Sequence, residues 1–226
     1  MCEAETEAPP APLAADRLIV FVKAPRPGSV KTRIAEALGA KAAAAIYRIL
    51  AERVLANLAG LREVELRFAP DDALPEIAPW LRRGWRACPQ GEGDLGVRLQ
   101  RAFADAFAAG ARRVVVIGSD CPEVGAADIR EAWQALAGAD VALGPARDGG
   151  YWLIGLAQPQ PRLFTDMPWS TAGVFRQTVE RAGALGLRVA RLRQLADVDT
   201  AADWKNFVAG LSQAGEHGGE VRAARS

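Results

Sequence analysis

RVVVIGSDCP, Arg113 to Pro122, is the stretch on which the fold turns. Val114 to Ile117 form a short apolar run suited to burial on both faces, as in a central parallel strand. A Gly-Ser turn follows, and then Asp120. Pro122 holds the backbone of Cys121 extended and out of helix. An acid at the carboxyl end of such a strand stands where open α/β sheets bind ligands. Asp120 therefore has two readings, a turn cap or a metal ligand, and this strand alone does not separate them.

Upstream, Arg17 to Val22 (RLIVFV) reads as the first buried strand. It opens into KAPRPGSVKTR, which carries the cations Lys23, Arg26, Lys31 and Arg33. A helix is expected from Thr32 to Ala59, with Ile34, Leu38, Ala42, Ala45, Ile46, Ile49 and Leu50 at helical spacing and a weak point at Gly39. Lys31-Thr32 resembles the end of a Walker A loop. Val30 stands where that motif needs its second glycine, and no upstream glycine exists, so a P-loop is rejected. The cations and the free N–H groups of a helix start still suit a diphosphate. The plain alternative is a solvated basic loop.

Downstream and between, the pattern alternates. Glu63 to Phe68 reads as the second strand, its partial alternation marking one less buried side or a more peripheral position, and Gly84 to Cys88 as a third. Asp94 is placed to cap a helix from Leu95 to Ala109. A helix over Gly125–Ala137 leads to a strand over Asp140–Gly144. Tyr151 to Leu156 runs back into the sheet after Asp148-Gly149-Gly150. A helix from Thr171 to Ala184, capped by Ser170 or Thr171, precedes a late edge strand at Leu187–Leu192. DVDT (197–200) then opens a final helix ending near Gly210, capped by Asp199 or Thr200. Residues 1–15 read as a disordered leader, 16–210 as one α/β domain with a mostly parallel mixed sheet, and 211–226 as a flexible tail.

Composition narrows the function classes. Lys plus Arg is 28 against 27 for Asp plus Glu, so no charge excess points to nucleic acid or an anionic membrane. The single histidine, His217, lies in the polar tail, which excludes histidine triads and histidine-rich metal sites. Cys2, Cys88 and Cys121 form no CxxC or zinc set. The first residues lack the basic and apolar regions of a signal peptide, and no apolar run reaches about 18 residues. A cytoplasmic setting is the expectation; a homo-oligomer stays open.

Four elements lie at strand-to-loop junctions: the basic loop, Asp120, Asp148-Gly149-Gly150 and Asp197/Asp199. Such junctions can converge at one sheet edge. Cations for phosphate and carboxylates for Mg²⁺ or Mn²⁺ make a coherent set, because these ions need few protein carboxylates when phosphate supplies the remaining oxygens. Each acid keeps a structural alternative: an Asx turn for Asp148, helix capping for Asp197 and Asp199. Trp169 suits stacking on a ligand or covering the core; Trp152 suits packing. Cys121 lacks a histidine to activate it.

The motifs FVKAPRPGSVKTR, GSDCP, GPARDGGYWLIGL, PWST and DVDT, in that order, resemble a bacterial family of small GT-A-like transferases first catalogued as a domain of unknown function (DUF2064-type). Its members are commonly described as glycosyltransferases, some linked to arsenosugar biosynthesis. The resemblance runs from about Arg17 to Phe207. It implies a three-layer α/β/α nucleotide-diphospho-sugar transferase fold, related to the molybdenum-cofactor guanylyltransferase-like superfamily. It also implies transfer of a sugar from a nucleotide-sugar to a small acceptor, with nucleotidyl transfer from an NTP as the alternative and a non-catalytic nucleotide-binding module as a third reading. Asp120 would stand for the aspartate of the GT-A metal motif, with Asp199 as the preferred second ligand of Mg²⁺ or Mn²⁺. Lys23, Arg26, Lys31, Arg33 and Ser119 would hold nucleotide and diphosphate. Asp148 would be the catalytic base, and Gly149, Gly150, Tyr151, Trp169 and Ser170 would meet sugar or acceptor.

Overall fold

The computed structural model describes residues 16–211. The expected leader, the tail from residue 212, Cys2 and His217 lie outside the described residues. Seven strands form one sheet: β1 (Asp16–Lys23), β2 (Val64–Ala69), β3 (Arg86–Pro89), β4 (Arg113–Ile117), β5 (Val141–Pro145), β6 (Tyr151–Leu156) and β7 (Val189–Arg191). Their spatial order is β3-β2-β1-β4-β6-β5-β7. All pairings are parallel except those of β6, which is antiparallel to β4 and to β5. The reason is chain length. Only a tight turn separates β5 from β6, and a parallel return needs a crossover of a dozen residues or more.

Helices cover both faces, giving the three-layer α/β/α architecture expected. On one face, Leu18, Val20, Leu66, Val115 and Ile117 pack with Tyr47 and Val54 of α2 (Ala40–Asn57), Ile77 of α3 (Leu74–Ile77) and Ile129 of α5 (Ala126–Ala135). On the other, Ile19, Val114, Val116, Leu143 and Ile154 meet Leu99 and Phe103 of α4 (Leu95–Ala108) and Ala182 of α6 (Val174–Ala184). The alternation of neighbours between faces is the period of two made physical. A smaller cluster joins α2 to a final helix over 201–211, through Ile46, Leu50, Val198, Trp204 and Phe207.

Three expectations need correction. The helix expected over Thr32–Ala59 is two helices, α1 (Thr32–Leu38) and α2, broken at Gly39 with φ 85°. That conformation is open to glycine and ends the first helix. The alternation in β2 does not mark an exposed side. Glu65 and Arg67 are buried there and paired with each other, and Arg67 also reaches Asp105 of α4. Neither Ser170 nor Thr171 caps the sixth helix, whose cap position is Gly173 with no side-chain bond. Thr171 Oγ1 instead donates to Pro168 O at 2.9 Å. The Asp94 cap is present, accepting from Val97 N at 2.9 Å. No helix among the described residues is long and apolar enough to cross a membrane.

Candidate active site

The strand order reverses between β1 and β4, which leave the sheet side by side in register. The loops after these strands diverge, one toward β2 and one toward β5, and leave a crevice at their carboxyl ends. Tyr47 of α2 pins this crevice from below. Its hydroxyl accepts from Lys23 N at 2.7 Å and shares a hydrogen bond with Ser119 Oγ at 2.8 Å. Full burial pushes its phenol up to about 12, so it stays neutral. Ser119 is thus buried and committed to Tyr47.

Lys31 ends the basic loop in the left-handed conformation, φ 48° and ψ 54°. A non-glycine residue there costs about 1–2 kcal/mol, and such strain collects at functional sites. Its ammonium lies 3.0 Å from Asp120 Oδ2 and 3.1 Å from Asp199 Oδ1. Arg33 Nη1 holds the other oxygen of Asp199 at 3.0 Å. Burial works against the charge of Lys31, but the two carboxylates outweigh it and keep the lysine pKa above its ordinary value. Residues 89 and 168 positions apart from Lys31 are thereby brought to one cation.

Asp199 is free for this role because another residue caps the final helix. Thr200 Oγ1 accepts from Asp203 N, while Asp203 Oδ2 accepts from Thr200 N at 2.8 Å and from Asp199 N at 3.2 Å, a reciprocal capping box. Backbone bonds fix the DVDT segment at the crevice: Val198 N donates to Asp120 O at 3.1 Å, and Arg147 N to Leu195 O at 3.1 Å.

In the sequence Asp197 reads both as one acid of a strand-end turn and as capping material; the structure places it beside Asp120 and Asp148. Its Oδ1 is buried without a hydrogen-bond partner. Burial, and then the carboxylates of Asp120 and Asp148, push it up to about 7. A run of acids before a helix is the only sequence signal it gives.

The remaining candidates are placed unevenly. The Lys23 side chain is exposed at the end of β1. Arg26 turns toward the loop after β2, pairing with Asp72 at 3.0 Å and Glu76 at 2.7 Å. Asp148 forms an Asx turn: its Oδ1 accepts from Gly150 N at 2.9 Å, and its side chain is at the exposed edge near Asp197. Gly149 has φ 90°, and a Cβ there would collide with the carbonyl of Ala172. Its carbonyl accepts from Phe175 N at 2.9 Å, which docks the loop before α6 on this turn. Tyr151 and Trp169 pack against the α4 side, where the Tyr151 hydroxyl and Trp169 Nε1 are buried without partners. A Cβ on Gly96 would lie 2.8 Å from Trp169 Nε1. Ser170 is exposed with φ 64°. Trp152 is packing, with Nε1 donating to Arg193 O at 3.1 Å. Cys121 donates to Ala196 O at 3.3 Å, and burial holds its thiol far above the ordinary value, which keeps it protonated.

Among the described residues, no group of three or more His, Cys, Asp and Glu side chains is gathered tightly enough to hold a metal alone. Asp120 and Asp199 nevertheless converge on one cation, and a buried carboxylate oxygen beside them has no partner. That donor set fits a Mg²⁺ or Mn²⁺ ion sharing its shell with phosphate and water.

The family model described as "uncharacterized protein conserved in bacteria" (DUF2064) matches residues 51–171. A crystal structure from Desulfovibrio desulfuricans G20, of a protein provisionally assigned as a nucleotide-diphospho-sugar transferase, is 38% identical. It superposes with a TM-score of 0.76, covering 82% of this chain and 83% of that one. The chain belongs to the DUF2064 family. More distant folds agree with this DUF2064 protein in architecture. A CMP-2-keto-3-deoxy-manno-octonic acid synthetase bound to CTP has a TM-score of 0.55 at 12% identity, over 89% of this chain and 100% of that one. A nucleotidyl transfer enzyme from Methanothermobacter thermautotrophicus has 0.54 at 15%, over 88% and 99%. No curated protein matches the DUF2064 chain significantly.

Proposed function

We propose that this protein transfers a sugar from a nucleotide-sugar to a small acceptor with the help of a divalent ion. The observation that carries the reading is Lys31, which gathers Asp120 and Asp199 at the point where the strand order reverses. The 38% identical relative, provisionally assigned as a nucleotide-diphospho-sugar transferase, supports the donor class. Asp120 and Asp199 would hold the ion, and Mg²⁺ or Mn²⁺ bound there would supply Lewis-acid charge to a diphosphate leaving group. Lys31 and Arg33 add fixed positive charge on the same side, where the leaving group becomes more negative than the bound substrate. Lys23 extends this surface, and the Tyr47–Ser119 bond holds the crevice floor. Asp148 accepts the proton of the attacking hydroxyl with the oxygen not tied to Gly150 N. Gly149, Gly150 and Ser170 shape the acceptor side, with Tyr151 and Trp169 supporting it from the core. The arsenosugar link is carried by the family resemblance, not by any residue of this site.

The test is turnover of a nucleotide-sugar panel and, separately, an NTP panel, with Mn²⁺, Mg²⁺ or EDTA. Release of nucleoside diphosphate that stops with EDTA and with Asp120→Asn is expected. Pyrophosphate release from an NTP in the presence of acceptor would replace the reading by nucleotidyl transfer. Binding without any turnover would replace it by a nucleotide-binding module.

A further inference from the structure

A cavity lies beside the carboxylate cluster, with the Asp197–Val198 segment in its wall. Its volume is about 550 Å³, within the usual range of about 300–1,000 Å³ for small-molecule sites. Its walls come from α2, the loop after β4, the β5–β6 turn, the segment after β7 and the final helix. Three arginines line it: Arg53, Arg147 and Arg193. Arg193 is committed to Asp128 through Nε and Nη2, and Nη2 also donates to Glu123 O. Arg53 and Arg147 have neither an ion pair nor a side-chain hydrogen bond among the described residues. Three acids line it, Glu123, Asp197 and Asp203; Asp203 is consumed by the capping box at Thr200, and Glu123 is exposed. Asn206, exposed on the final helix, adds an uncommitted hydrogen-bonding group. Apolar surface from Phe207 and Pro122 completes the wall.

This pattern has a chemical meaning. Two free guanidiniums suit a carboxylate or phosphate, which they can grip in a forked geometry. Asn206 suits a hydroxyl group. The backbone carrying Arg147 is fixed, because its N–H donates to Leu195 O at 3.1 Å. Arg53, Arg147 and Asn206 are not among the residues assigned to phosphate or metal in the crevice.

We propose that this cavity is a second ligand site, which takes a small hydroxylated organic anion, its carboxylate or phosphate held by Arg53 and Arg147 and a hydroxyl by Asn206. The site is distinct from the nucleotide crevice, so both are filled at once.

The experiment is calorimetric titration of the full chain with glycerol 3-phosphate, and with inorganic phosphate, with and without a saturating nucleoside diphosphate and Mn²⁺. Glycerol 3-phosphate is expected to bind the wild-type protein more tightly than phosphate, and to bind in the presence of nucleotide. The Arg53→Ala/Arg147→Ala variant is expected to lose about tenfold or more in that affinity while its nucleotide affinity stays within about twofold. An Arg53→Lys/Arg147→Lys variant, which keeps charge and loses the fork, falls between. The proposal is overturned by absence of binding to wild type, by undiminished binding to the alanine variant, or by displacement with nucleotide. Nucleotide binding is read in the same titrations, so a failure of the crevice assignment shows separately.

Discussion

Two charge clusters built on the same sheet have opposite characters. At the strand tips, the Lys31 side chain is 4% exposed, while its partners Asp120 and Asp199 are 41% and 44% exposed. Beneath the sheet, Arg17, Arg67 and Glu65 are 0%, 2% and 6% exposed, with Arg17 only loosely met by Glu65 at 3.7 Å. Both clusters pair a buried cation with carboxylates. Only the first has its carboxylates at the open strand ends, where a phosphate or a metal ion can take over one of the partners. The second is held between β1, β2 and α4, and only its outer partners, Asp105 and Arg86, reach solvent. Access at the end of the strands, not charge content, separates a binding site from a buried ionic brace.

Cutting the sealed cluster is expected to have the largest effect on stability. Glu65→Ala leaves Arg17 and Arg67 buried without their shared carboxylate, and a loss of about 3–5 kcal/mol is expected in urea unfolding. Turnover per folded molecule should stay near wild type; a selective loss of activity would contradict the contrast.

The open cluster should behave the other way. Asp120→Asn is expected to lower kcat/KM by about 10²–10³-fold, as for removal of one group that stabilises developing charge. Its melting temperature should change little, because both carboxylates are half solvated. A large unfolding effect with residual full activity would place Asp120 among the structural acids.

Asp197 links the two behaviours, being buried yet beside the edge. Its carboxyl titrates near 7, well above an ordinary aspartate near 4. A raised acid contributes stability that is complete below its unfolded value and is lost as pH rises through its folded one. The wild type should therefore weaken between about pH 4 and pH 7 relative to Asp197→Asn. The melting-temperature gap between the two proteins should widen from pH 5 to pH 8, and Mn²⁺ with nucleotide should narrow it. A pH-independent gap would remove Asp197 from the cluster.

The smallest effect belongs to Thr200→Ala. Losing one N-cap costs about 0.5–2 kcal/mol. The informative part is a weaker nucleotide response in thermal shift, since Asp199 would be drawn toward the vacated cap. Unchanged nucleotide binding would show that Asp199 needs no such release.

Much of the layout was legible because its signals are local. The apolar run of β4, the cap at Asp94 and the turn before Tyr151 depend on neighbours within a few residues. The break at Gly39 was visible as weakness but not as a helix end, because local propensity does not fix the φ that glycine adopts. The burial of Glu65 and Arg67 was invisible, since alternation of charge looks the same whether ion pairing or water satisfies it.

By itself, the sequence determined an α/β chain with acids and cations at strand ends, since strand period, turn chemistry and helix capping are short-range physics. Only the tertiary structure decided which of those groups meet. Lys31, Asp120 and Asp199 are brought together by parallel pairing of β1 with β4 and by the bonds that tie DVDT to Asp120. The same packing buried Asp197 and sealed Arg17 and Arg67 away from the edge. Contact between residues far apart in the chain is set by closure of the whole sheet, and no stretch of sequence carries that information alone.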